Sequence, residues 1–322
     1  MNLLQIEDRL FELEQEKQKL IQLKNEFVSV PQTLLGWNIT KSNDYYKLFK
    51  RIDKKKVGIH HGRIWNEKKA RRQIRKKEQE LGYKWTKEQI AIDYIQRNEP
   101  KKGYFVGFSG GKDSIVLLDL VRKSKVRHRA FYNVTGIDPP ELVQFIKKEY
   151  PSVEFLKPEI SFWKGIQKNG YPTIFNRWCC RVLKEEPSNR VKLHRRLVGI
   201  RKEESSKRAS RSKTDKIGKY SHYKPLFDWS EVDIWEYIDE NNLLYPTLYN
   251  EGYSRLGCVV CPYLFGNQKL LERNMKRYPQ YYKLFEKSIY ELWENKLWWR
   301  STKKRKDLLF EDFLKAYYRN FN

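Results

Sequence analysis

The chain has 322 residues, and its 66 Lys and Arg stand against 40 Asp and Glu, giving a formal net charge of +26. Solubility needs far less, so the excess points to a polyanionic partner or substrate. A 39% hydrophobic share with 10 Trp, 21 Tyr and 16 Phe excludes global disorder. No run approaches the roughly 18 apolar residues of a membrane-spanning helix, and acids occupy the start where a secretory signal would be basic and then apolar, so a cytoplasmic protein without a membrane partner is expected.

In chain order, Leu3, Ile6, Leu10, Leu13 and Leu20 recur at three- and four-residue steps, which predicts a short amphipathic helix. From Arg51 to Glu80 there are 12 basic and 4 acidic residues, with Trp65, His60 and His61 among them. That imbalance is too one-sided for ordinary pairing along a helix and suggests nucleic-acid contact. Residues 1–100 therefore read as a basic, helical extension.

The composition shifts at Lys101. Tyr104–Phe108, Ala130–Val134, Val153–Leu156 and Arg196–Ile200 are strand candidates separated by helical patterns, which predicts an α/β fold with a parallel, doubly wound sheet. In such a sheet the ligand lies beyond the carboxyl ends of the strands. Lys202–Lys224 is polar, basic and Ser-rich and reads as a loop. A helix capped by Asp228 or Ser230 follows, and residues 266–322 read as a basic, aromatic, helical end.

Ser109, Gly110, Gly111, Lys112, Asp113 and Ser114 stand between a strand and a helix, where free backbone N–H groups and the positive end of the helix dipole converge on an anion. The glycines let the backbone approach a phosphate, the serines add donors and Lys112 adds charge. A Walker A loop would need Gly at position 106 and Ser or Thr at 113, and neither is present.

SGGKDS resembles the pyrophosphate loop of the adenine-nucleotide α-hydrolases, which ATP pyrophosphatases share with phosphoadenosine phosphosulfate (PAPS) reductases. Val198–Ser205 with Arg208 resembles the GxRxxES…R segment of the reductase-like branch, Pro225–Trp235 its PLxDWxxxDVW segment, and Tyr245–Tyr253 its YPxLYxxGY segment. The likeness spans about residues 101–265. It implies a site for ATP or an adenylyl sulfate, with Gly136 also near the nucleotide, Arg201 and Arg208 on the anion, and Asp113 helping to hold Mg²⁺ if the nucleotide is ATP.

The four cysteines form two pairs, Cys179-Cys180 and Cys258-x-x-Cys261. In a reducing cytosol such a set suits metal binding or chemistry better than disulfides. Their arrangement resembles the [4Fe–4S] ligands of the iron–sulfur branch, adenylyl sulfate reductases included, and a Cys-Cys neighbour pair fits structural zinc poorly. Thioredoxin-coupled relatives use one further cysteine near the C-terminus as nucleophile, and the residues after Cys261 contain none. The expectation is ATP-pyrophosphatase and sulfurtransferase-type chemistry on nucleic acid, with sulfur from a partner such as a cysteine desulfurase. Adenylyl sulfate or PAPS reduction is the second reading, and a non-catalytic nucleic-acid-binding scaffold the third. Arg51–Glu80, Lys202–Lys224 and Lys296–Lys306, with Trp298 and Trp299 for stacking, are the expected polyanion contacts.

Overall fold

The computed structural model describes residues 13, 15, 16, 30–52, 55–82, 85–264, 267–295 and 309–319. The chain divides into two compact units, residues 1–93 and 94–322. Leu13 lies in a helical turn and is exposed. The other four leucine and isoleucine positions of the expected N-terminal helix, and Lys296–Lys306 with its Trp pair, lie outside the described residues.

The first unit departs from the all-helical extension expected of residues 1–100. Thr33–Leu34 (β1), Trp37–Ser42 (β2), Tyr45–Ile52 (β3) and Lys55–Gly62 (β4) form an antiparallel sheet in the order β1-β2-β3-β4. The alternation was masked because the outward positions carry Lys, Arg and rings, while the inward ones, such as Trp37 and Leu48, are the buried side chains. Glu67–Glu80 (α1) follows, with the Asn66 Oδ1 accepting from the Lys69 N–H at 2.9 Å. Its Ala70 and Ile74 are buried with Leu34, Trp37, Leu48 and Trp65 in the unit's own core. Glu78 is buried there and satisfied by three donors, the indole N–H groups of Trp37 (2.9 Å) and Trp85 (2.5 Å) and the Lys50 ammonium (3.1 Å). The boundary between the units falls inside Lys87–Arg97 (α2), at 93/94 rather than at the Lys101 composition shift.

The second unit holds a six-stranded sheet of order β7-β6-β5-β8-β10-β9. Its strands are Tyr104–Gly107 (β5), His128–Asn133 (β6), Glu154–Leu156 (β7), Arg195–Leu197 (β8), Thr214–Ile217 (β9) and Tyr220–Tyr223 (β10). All pair in parallel except the β9 edge. Lys112–Lys123 (α3) and Pro140–Glu149 (α4) make the crossovers. This is the predicted doubly wound α/β sheet. Strand order reverses at β5, whose neighbours are β6 and β8, so the crevice at their carboxyl ends is the switch point where ligands bind.

Lys202–Lys224 is not a loop. It contains β9, β10 and two short helical turns, and its last residue, Lys224, is buried and bonded to the Asp215 carboxylate at 2.5 Å and the Ser212 carbonyl at 2.8 Å.

Phe162–Asn169 (α5), Glu231–Glu240 (α6), Gln268–Arg277 (α7), Pro279–Glu294 (α8) and Phe310–Arg319 (α9) complete the unit. As expected, Ser230 caps α6: its Oγ accepts from the Asp233 N–H at 3.1 Å. α5, α8 and α9 share a core in which Phe162, Trp178, Phe285 and Tyr317 are buried together. No helix among the described residues is long and apolar enough to cross a membrane.

Candidate functional site

The glycine loop leaves β5 and turns into α3. Gly110 has φ +73, and a β-carbon there would stand 2.7 Å from the Ile146 side chain of α4, so only glycine fits. Ser114 Oγ ties the turn together: it donates to the Gly111 carbonyl at 2.8 Å and accepts from the Ser109 N–H at 3.1 Å, with the Ser109 hydroxyl 3.2 Å away. Gly111 caps α3 with no side-chain bond, and the start of the helix opens toward the crevice. The Lys112 N–H donates to the Tyr249 hydroxyl at 3.0 Å. Burial, with Asp113 and Glu231 nearby, pushes the Tyr249 phenol up to about 12 even though the Lys112 N–H opposes the shift, so it stays protonated at the loop.

Charged groups gather around the loop. The Lys112 ammonium reaches the Ser254 carbonyl at 2.7 Å and Glu231 at 3.3 Å. The buried Arg201 guanidinium, just after β8, donates to Asp113 at 2.5 Å and to Glu203 at 2.8 Å. Burial works against the charge of Arg201, but Asp113, Glu204 and Glu203 outweigh it and hold the group firmly protonated. Glu204 in turn accepts from the Arg201 backbone N–H at 3.0 Å and pairs with Arg208. Gly199 lets this segment approach α3, since a β-carbon there would meet the Asp113 carbonyl oxygen at 3.0 Å. Lys112, Asp113 and Arg201 are thus brought together, and Arg208 joins them through Glu204. Gly136 lies at φ +74 in the turn after β6, on the same edge of the sheet. The sequence singled out neither Glu231 nor Ser254 as site residues, and it placed Tyr249 only within a motif.

The cysteine pairs meet beside this edge. Cys179 and Cys180 lie in a helical run over 178–190 whose middle, Arg181–Glu185, is a π turn. The Val259 N–H donates to the Ile137 carbonyl at 2.7 Å, which holds the Cys258–Cys261 loop against the turn after β6, and the Cys258 thiol lies 4.0 Å from the Thr135 hydroxyl. Cys179 is hydrogen-bonded to Cys180 and senses Cys258 and Cys261, so all four sulfurs face one neighbourhood. The bond from Cys179, with help from Arg177 (3.3 Å) and Lys184 and against the opposing effect of burial, holds the Cys180 thiol below its ordinary value. Burial pushes Cys258 up to about 12, against the pull of the Lys184 ammonium bonded to it. Lys184 stands one helical turn after Cys180, a spacing visible in the sequence although the residue was not singled out. Among the described residues, no three His, Cys, Asp or Glu side chains stand as a ready cage for a metal ion. Four convergent sulfurs with two cations facing them do match the donors and the charge balance of a tetrathiolate iron–sulfur cluster.

Two proteins of Methanocaldococcus jannaschii are similar to the chain, one 30% identical over 227 residues and the other 33% over 165. The matches cover 65% and 48% of this chain but only 45% and 40% of those relatives, so the chain spans less than half of their length. The adenosine 5'-phosphosulfate reductase of Oceanobacillus iheyensis is 31% identical over 168 residues, covering 48% of this chain and 68% of that enzyme. Among solved structures, the PAPS reductase of Candida auris in its phosphate complex aligns with a TM-score of 0.44 at 19% identity, over 58% of this chain and 94% of that one. Residues 103–264, which hold the glycine loop, the Arg201 segment and all four cysteines, match the phosphoadenosine phosphosulfate reductase domain, and the chain belongs to that family.

Proposed function

We propose that the chain binds an adenylyl nucleotide at the glycine loop, acts at its α-phosphate, and carries a [4Fe–4S] cluster on Cys179, Cys180, Cys258 and Cys261. The favoured reaction is ATP-dependent: an oxygen of a nucleic acid attacks the α-phosphate and pyrophosphate leaves. The terminal sulfur of a persulfide on a donor such as a cysteine desulfurase then displaces AMP, and an external thiol cleaves the resulting S–S bond to release the thiolated nucleic acid and an oxidised disulfide. The glycine loop and Lys112 would hold the departing phosphates, Arg201, paired with Asp113 beside the loop, would add positive charge there, and Asp113 would help to hold Mg²⁺ if the nucleotide is ATP. Held by these four cysteines, such a cluster would supply an electron-accepting group.

The observation that carries this reading is the convergence of the four cysteines, because these 322 residues then retain no thiol to attack sulfur in a sulfonucleotide. Reduction of an adenylyl sulfate by an external thiol is the second reading. It is supported by relatives named adenosine 5'-phosphosulfate reductase that match at 28–31% identity.

Anaerobic protein is incubated with α-labelled ATP, with and without RNA or DNA, and in parallel with adenylyl sulfate and a thiol. Pyrophosphate and AMP that depend on nucleic acid are expected. Sulfite release without ATP turnover decides for reduction. About four irons and absorption near roughly 400 nm are expected, and a colourless protein holding one zinc rejects the cluster.

A further inference from the structure

The N-terminal sheet has one face packed on α1 and another that the family match at 103–264 leaves without a role. On that second face β3 presents Tyr45, Lys47, Phe49 and Arg51, alternating ring and cation. The register sets His60 of β4 beside Lys47, Lys56 beside Arg51, and Gly58 beside Phe49. A glycine next to Phe49 leaves that flank of the ring without a neighbouring side chain, and the Lys56 ammonium lies 4.5 Å from its centre. Tyr45 and His60 form a second ring pair at 5.0 Å, with the Arg63 guanidinium 5.0 Å from the Tyr45 ring. Tyr45 and Phe49 are half-buried, whereas Lys47, Arg51, Lys56 and His60 are exposed. β2, β3 and β4 contain no Asp or Glu.

We infer that this face is a docking platform for single-stranded RNA. Half-exposed rings about 13 Å apart along one strand, each flanked by a cation, suit unpaired bases, whose faces a duplex hides. The interleaved cations, with no carboxylate on these strands, complement a phosphate backbone. Asn38 and Thr40 of β2, directly opposite Phe49 and Lys47, add amide and hydroxyl partners for the 2′-hydroxyls that distinguish RNA from DNA. A membrane surface would call for Leu or Ile on the outward positions of β3 and β4, and none is there. The inference rests on the nucleic-acid part of the proposed function but not on its chemistry.

The test is fluorescence anisotropy on the full chain without ATP, using a labelled single-stranded RNA of about 12 nucleotides. Comparators are the same sequence as DNA, an RNA duplex, and vesicles containing phosphatidylserine. Phe49→Ala and Tyr45→Ala should each weaken RNA binding about tenfold, while Phe49→Tyr restores it. Lys47→Ala should lower the salt slope by about one, and Lys276→Ala in α7 should change neither. An unchanged melting temperature shows that the variants fold. Wild-type binding that survives both ring substitutions overturns the platform but leaves the nucleic-acid reading standing. No binding by the wild type overturns both. Equal affinity for the DNA strand or the duplex, or preferential binding to the vesicles, overturns the assignment to single-stranded RNA.

Discussion

His61 shows how a residue noticed for its charge acts through its lack of one. It is buried, its Nδ1 lies 2.7 Å from the Gln73 side-chain oxygen, and its Nε2 accepts the Asn66 N–H at 3.0 Å. A backbone N–H can only donate, so Nε2 carries no proton and the ring is neutral. Burial holds its pKa below the ordinary 6.5; Lys69 adds to this and the Gln73 bond opposes it. The unfolded chain therefore binds the proton more readily, and stability is fully present above about pH 6.5 and lost as pH falls through the lower folded value. His222 shifts in the same direction, so the wild type carries both contributions. His61→Gln should flatten part of the loss in urea stability between pH 7 and pH 5, and an unchanged pH slope would count against the assignment. At the loop, Gly110→Ala should cost about 1–3 kcal/mol in stability and abolish saturable nucleotide binding, since the added methyl meets Ile146 and the backbone must stay left-handed. Thermal melts and equilibrium dialysis check it. The loop was legible because Gly, Ser and Lys have few other reasons to share six positions between a strand and a helix. The partners of Lys112 were not, because Glu231 and Ser254 come from 119 and 142 residues away.

Among the elements, the helical run 178–190 carries one cysteine pair and is set by the contact between Trp178 and α5. A β-carbon at Gly165 would stand 2.4 Å from the buried Trp178 ring, which stacks on Phe162 at 5.8 Å and cannot swing aside. Gly165→Ala should therefore destabilise the second unit by about 1–3 kcal/mol and loosen the cysteine pair. The melting temperature and the iron retained on anaerobic dialysis are the two readouts, and a loss of stability with iron unaffected would separate packing from the cysteines. The core strands were legible from their apolar runs. β2, β3 and β4 were not, because charged and aromatic outward positions gave the segment the composition of a basic helix. β9 and β10 were hidden in the same way by a Ser- and Lys-rich stretch whose final cation, Lys224, pairs with Asp215 inside the fold.

For the whole molecule, a net charge of +26 sets a self-repulsion that salt relieves. Raising NaCl from about 20 to about 300 mM should raise the melting temperature by a few degrees, with the larger effect below neutral pH. A flat or falling response would mean that the local ion pairs outweigh the net repulsion. The sequence by itself determined the family, the parallel sheet and the glycine loop between a strand and a helix, because each is written in motifs and periodicities local in the chain. Only the tertiary structure decided that part of the basic extension is a sheet with its own core. It also decided that Arg201 is held by Asp113 across 88 residues, and that two cysteine pairs some 80 residues apart face the same cations. Those are contacts between segments distant in sequence, and local propensity carries no record of which segments will meet.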